Sequence, residues 1–233
     1  MRRLTIIPLA LLLISCEISS PKTTAITLLA DRTDPVITKP SLNDIHPFLD
    51  LKANPNTGVE ITLQNIGHVD YNPLYRKHLK GSTLLENALQ RQTDIKRFYT
   101  ALDTMITQAN TRIYNYQSSS IIVPLVRQLD ILSRSKNTNK IVILYSDLAE
   151  FSDFFNIYDY SSHLKLQEQP LTVARLFKSK LSIPKLHTVH LHIIYYPKTT
   201  PQNRTFHSML QVYREVFKES GLNIHVGLDQ LLN

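Results

Sequence analysis

Three short segments carry oxygen-bearing side chains on which chemistry could be built. Asp31-Arg32-Thr33-Asp34-Pro35 follows one apolar run, Ser118-Ser119-Ser120 precedes a second, and Ser146-Asp147-Leu148-Ala149-Glu150 follows a third. Carboxylates and hydroxyls are hard donors. Mg²⁺ prefers six oxygens in near-octahedral geometry and keeps several waters. Two carboxylates and two hydroxyls from three loops, completed by water or by another molecule's carboxylate, suit such an ion. Each residue also has an ordinary role. An Asp after a strand is commonly a helix cap or turn residue, and Ser118 suits an N-cap.

The elements that must position these loops alternate along the chain. Ala25–Ala30 is a near-continuous apolar run, as expected of a central strand buried on both faces. Ser41–Leu51 reads as a short helix with Ser41 at its N-cap and Asp44 three residues on. Gly58–Gln64 alternates as a half-buried strand does, and a further strand is placed near 68–75. In 93–109, Ile95, Phe98, Leu102, Met105 and Ile106 recur at helical spacing, and 121–132 reads as a second helix with Pro124 in its first turn. Lys140–Ser146 and Thr188–Tyr196 are buried strands, 170–179 and 204–220 are helices, Gly221 is a C-cap, and 222–226 is a last strand. Strands alternating with helices of ten or more residues predict a doubly wound, mostly parallel sheet with helices on both faces, a three-layer α/β/α fold. Ligands in such sheets sit at the carboxyl ends of the strands, where Asp31 and Asp147 fall.

With these loops in this order, residues 24–228 resemble the von Willebrand factor A domain. That family has a doubly wound fold and a metal-ion-dependent adhesion site with a first loop Asp-x-Ser-x-Ser, a Thr from a second loop and an Asp from a third, often in Ser-Asp-Gly. The resemblance implies that Asp31 is the first Asp and Thr33 the first hydroxyl. It implies that one of Ser119 and Ser120 replaces the Thr, the two being equal on sequence grounds, and that Asp147 is the last Asp. It departs at Pro35, which offers no ligand in place of the second hydroxyl. Asp34 beside it is then either a ligand or a turn residue. It departs again at Leu148, where Gly is usual. The implied cofactor is Mg²⁺ or Mn²⁺, bridging to a carboxylate of a protein partner; the competing expectation is a degenerate site on the same fold.

Other candidates are weaker. His190 and His192 share one strand face and His187 the other. Two histidines with no third ligand in reach are expected to be polar residues on a sheet face or edge. The aromatic stretch 151–160 reads either as a short packed helix or as a patch in which Glu150, Phe151, Phe154 and Phe155 touch a partner. Arg91, Lys96 and Arg97, with Lys77 and Lys80 upstream, form a basic stretch without the dense aromatic interleaving of a nucleic-acid surface, so no nucleic acid is expected. No Gly-x-Ser-x-Gly, phosphate-binding glycine loop or His-Glu-x-x-His occurs, and 5 glycines leave no dinucleotide fingerprint. No general base stands out beside the three loops, so the chain is read as a non-enzyme. The alternatives held beside it are a lipid-anchored metal-dependent hydrolase and a structural envelope component.

The chain has 233 residues, 42% of them apolar, which is enough for a packed core and fits one domain. Its single cysteine excludes an internal disulfide and a thiolate zinc site. That cysteine ends the sequence MRRLTIIPLALLLISC. Arg2 and Arg3 form a positive n-region, and Leu4–Ile14 has the length of a signal-peptide core, short of a membrane span. Leu13-Ile14-Ser15-Cys16 resembles the bacterial lipoprotein signal. The resemblance implies cleavage after residue 15, acylation at Cys16, a polar tether over 16–23 and one domain over 24–233. The expected location is the bacterial cell envelope, with the lipid in the membrane, Glu17 not arguing for inner-membrane retention, and an unknown envelope protein as partner. Arg2 and Arg3 contribute two of the +7 formal charges, so part of the basicity serves targeting.

Overall fold

The computed structural model describes residues 22–34, 37–82, 87–116 and 118–228. The signal segment, Cys16 and Pro35 lie outside the described residues. Among the described residues no helix is long and apolar enough to cross a membrane.

A six-stranded sheet forms the middle layer. Its strands are β1 (Thr23–Asp31), β2 (Gly58–Ile66), β3 (Leu74–Leu79), β4 (Asn139–Tyr145), β7 (Val189–Ile194) and β8 (Asn223–Val226), in the order β3-β2-β1-β4-β7-β8. All neighbours are parallel except β3, which runs antiparallel along the edge of β2. A two-stranded hairpin, β5 (Phe151–Ser152) and β6 (Phe155–Asn156), stands apart.

The alternation of side chains sorts each strand between two cores. Ala25 and Leu29 of β1, Val142 and Leu144 of β4, and Leu191 and Ile193 of β7 face one side. There they meet α3 (Ile122–Ser133), α4 (Tyr160–Glu168), α5 (Pro170–Lys180) and α6 (Thr200–Phe217). Ile26 and Leu28, Ile61 and Leu63, and Ile141 and Ile143 face the other side, under α1 (Leu42–Ile45) and α2 (Ala88–Thr111). The expected doubly wound α/β/α class is the observed one. β7 and β8 also present side chains to the α2 side of the sheet, where Phe48 lies edge-on against His192. Here His190 and His192 are joined by His225 across the strand pair, with ring centroids 5.8 and 4.7 Å apart. Burial pushes His192 down to about 4, keeping its ring neutral. Among the described residues no group of three His, Cys, Asp or Glu is arranged to hold a metal. His187 lies in the turn before β7 and not on its opposite face.

Several boundaries differ from those expected, each for a local reason. The strand placed near 68–75 starts at Leu74. His68 Nδ1 accepts from the N–H groups of Asp70 and Tyr71, and Asn72 Nδ2 donates to His68 O, holding 68–72 as a turn. The helix at 93–109 begins five residues earlier, because Asn87 Oδ1 caps the N–H groups of Leu89 and Gln90. The segment 41–51 forms only the four residues of α1 and a 3₁₀ turn at Pro47. The aromatic stretch is a hairpin, not a helix. Phe154 and Phe155 pack edge-on against Phe177, and α4 at 160–168 is an element not anticipated.

Candidate functional site

Parallel strands that start together end together. Thr27 of β1 lies level with Thr62 of β2 and Val142 of β4, so the loops after β1 and β4 leave the same edge of the sheet. Asp31 is the last residue of β1 and is 3% exposed. Its Oδ1 accepts from the Thr33 N–H at 3.0 Å and the Thr33 hydroxyl at 2.6 Å, and its Oδ2 accepts from the Ser146 hydroxyl at 2.9 Å. The Thr33 hydroxyl is also 3.0 Å from the Ser119 hydroxyl. The three loops therefore meet through one carboxylate and three hydroxyls.

The structure separates the serines that the sequence could not. Ser118 Oγ donates to Gly67 O at 3.1 Å and does not cap α3. Ser119 faces Thr33, and its backbone pairs with Phe151 in both directions, at 2.9 and 2.8 Å. Ser120 Oγ is buried and has no hydrogen-bond partner among the described residues. Asp147 follows β4, with Oδ1 accepting from the Ala149 N–H at 2.9 Å. Burial, helped by nearby Asp31 and Asp34, pushes its carboxyl up to about 6. Burial also raises Asp31, against the pull of its hydrogen bonds from Thr33 and Ser146. Asp34 is half-buried at the same edge and feeds the field at both carboxyls.

Leu148 has φ +64°, the left-handed conformation that glycine adopts freely and an L-residue adopts at a cost. The resemblance put glycine at this position, and here a leucine takes that conformation. Two contacts hold it there. The Leu148 N–H donates to Ser146 Oγ at 2.9 Å, and the Leu148 side chain is fully buried in the core under α3 and α6.

Glu150 has a different place from the one expected. It is fully buried, and Oε2 accepts from the N–H groups of Ile121 and Ile122, both at 3.0 Å. These are orphan donors at the start of α3, satisfied from another loop because the N-cap position is held by Ile121. Glu150 is thus no surface contact for a partner, and Phe155 is buried too. Of the proposed contact residues only Phe151 and Phe154 keep accessible surface. Burial outweighs the two N–H donors and pushes the Glu150 carboxyl up to about 7.

The donors at this edge are all hard oxygens, and the Thr33 hydroxyl lies within hydrogen-bond distance of both Asp31 and Ser119. In type they suit a hydrated Mg²⁺ or Mn²⁺, for which Asp147 would be the second carboxylate. Asp34 is shared by two clefts that flank the site. One, of about 700 Å³, runs past Arg32, Lys39 and Tyr114; the other, of about 290 Å³, runs past Asp147, Tyr158 and Tyr195.

No family model and no curated protein matches the chain. Solved structures do resemble it. The SpRpn10 VWA domain is 10% identical, with 90% of this chain and 93% of that one covered and a TM-score of 0.37. A mutant of the PilB minor pilin from Streptococcus sanguinis is 10% identical over 92% and 60%, TM-score 0.45. The pilus adhesin SpaC from Lactobacillus rhamnosus GG, in an open conformation, is 14% identical over 90% and 28%, TM-score 0.40. The chain thus spans 60% of the pilin and 28% of the adhesin. The parallel order with one antiparallel edge strand, and three loops converging at the carboxyl edge, are those of a doubly wound α/β domain.

Proposed function

We propose that the chain is a lipid-anchored protein of the bacterial cell envelope whose A-domain-like module binds another protein at the carboxyl edge of its sheet. Asp31, Thr33, Ser119 and Asp147 hold a Mg²⁺ or Mn²⁺ ion that bridges to a carboxylate of the partner, with Asp34 beside it. The ion is an electrostatic anchor and no bond is made or broken. The observation that carries this reading is the contact of Thr33 and Ser119, from loops 86 positions apart, at 3.0 Å beside the Asp31 carboxylate. A second reading has its own support. Both Asp31 oxygens already accept hydrogen bonds within the chain, as in a degenerate site that keeps the fold for a structural role.

Calorimetric titration of the full chain with Mg²⁺ and with Mn²⁺ distinguishes the two. The metal reading expects heat and a rise in melting temperature, both lost in Asp31→Ala and Asp147→Ala. A silent titration in the unaltered chain establishes the degenerate site. Pull-down from envelope extract with and without chelator then asks whether capture of a partner depends on the ion.

A further inference from the structure

We propose that the cleft beside the candidate ion site takes an acidic, extended polypeptide segment of the partner, so that recognition is carried by Arg32, Lys39 and Arg112 as well as by any metal. The inference rests on the reading of this edge as a protein-binding surface. It names the chemistry of what binds there.

The cleft, about 700 Å³, lies between the loop after β1 and the segment that follows α2. Its lining holds three cations and one carboxylate, Asp34. The Arg32 guanidinium donates to the Asn110 carbonyl at 3.0 Å, and the Arg112 guanidinium is held by the Tyr75 hydroxyl and lies 5.6 Å from the Tyr114 ring centroid. Lys39 is exposed. Among the described residues none of the three pairs with a carboxylate; Arg32 and Arg112 are oriented by neutral partners, and all three keep their charge for a ligand. By contrast, Arg127, Arg134 and Lys178, elsewhere on the surface, are all paired with Asp or Glu.

The walls between the cations decide the class of anion. Ile37, the Tyr114 ring and Ile113, which is 93% exposed, line the same cleft. Aliphatic and aromatic surface between fixed cations suits acidic side chains with methylene stems, and complementary charge steers such a partner in. A polyphosphate chain has no apolar surface to offer those walls. Thr33 and Asp34 are also part of the lining, so an acidic segment lying in the cleft would pass beside the ion site.

The test is fluorescence anisotropy of labelled octa-glutamate with the full chain. Octa-lysine and polyphosphate serve as controls, each in Mg²⁺ and in chelator. Octa-glutamate is expected to bind, to weaken as salt rises, and to weaken by about tenfold or more in Lys39→Glu/Arg112→Glu. Both positions are exposed, and circular dichroism checks that the variant is folded. Loss on charge reversal but not on chelation supports the cleft and removes the ion from the reading above. Loss on chelation but not on charge reversal supports the ion and overturns the cleft. No binding, or polyphosphate binding as tightly as octa-glutamate, overturns the proposal outright.

Discussion

Glu150→Gln should change how the stability of this domain depends on pH. In the fold the Glu150 carboxyl titrates at about 7, against 4.5 in an unfolded chain, because burial penalises its charge. Between those values the native state holds a proton that the unfolded state has released, so stability falls as pH rises. The stabilisation is fully present below 4.5 and is lost as pH rises through about 7. At about 1.4 kcal/mol per pH unit the whole effect is roughly 3 kcal/mol, of which about 2–3 kcal/mol falls between pH 5 and pH 8. Gln keeps an oxygen for the Ile121 and Ile122 N–H groups but carries no charge at any pH. Urea unfolding of both full-length proteins at pH 5 and pH 8, in chelator, isolates the term. Asp31 and Asp147 titrate in both proteins and largely cancel in the difference. The unaltered chain should lose about 2–3 kcal/mol more than the variant over that interval. Two proteins whose stabilities move in parallel would refute the assignment of Glu150 as a buried, strained carboxylate at the start of α3.

Further outcomes follow from particular contacts. Gly221→Ala should cost about 1–2 kcal/mol in urea unfolding, because Gly221 has φ +77° and an added Cβ would fall 2.0 Å from His187 Nδ1. Arg91→Met should cost about 3–5 kcal/mol. The buried guanidinium donates to the carbonyls of Pro55, Lys80 and Thr57 at 2.6, 2.6 and 2.8 Å, tying α2 to the turns at one end of β2 and β3. Cys16→Ser, followed by intact mass of the membrane fraction, should show a chain that is neither cleaved after residue 15 nor acylated; normal acylation in that variant would end the lipoprotein reading.

Much of the fold was legible because burial leaves a periodic trace. Ala25–Ala30, interrupted only by Thr27, and the unbroken Ile141–Leu144 are apolar runs since both faces of a central parallel strand are covered. Phe206, Met209, Leu210, Tyr213, Val216 and Phe217 repeat every three or four residues since one face of α6 packs on the sheet. The elements that were missed lack such a trace. The β5–β6 hairpin has two residues in each strand, too few for any period, and is placed by pairing of Phe151 with Ser119 across the chain. The start of β3 was misplaced because side-chain hydrogen bonds, not hydrophobic pattern, hold 68–72 out of the sheet.

The candidate site divides along the same line. Sequence alone determined which residue types stand after which strands, since an Asp after a buried run and a serine cluster before a helix are local patterns. Resemblance to known patterns added two expectations, a glycine at the position of Leu148 and an export-type leader over residues 1–15. Only the tertiary structure decided which serine faces Thr33, because three adjacent serines differ in direction and not in composition. It alone moved Glu150 from the surface to the buried start of α3, since a carboxylate's partner there is a backbone N–H pair 28 and 29 positions away. It alone brought His225 beside His190 and His192, and Arg112 into one cleft with Arg32. These are contacts between distant segments, set by how the strands register and how the helices cross over, and no local spacing in the chain encodes them.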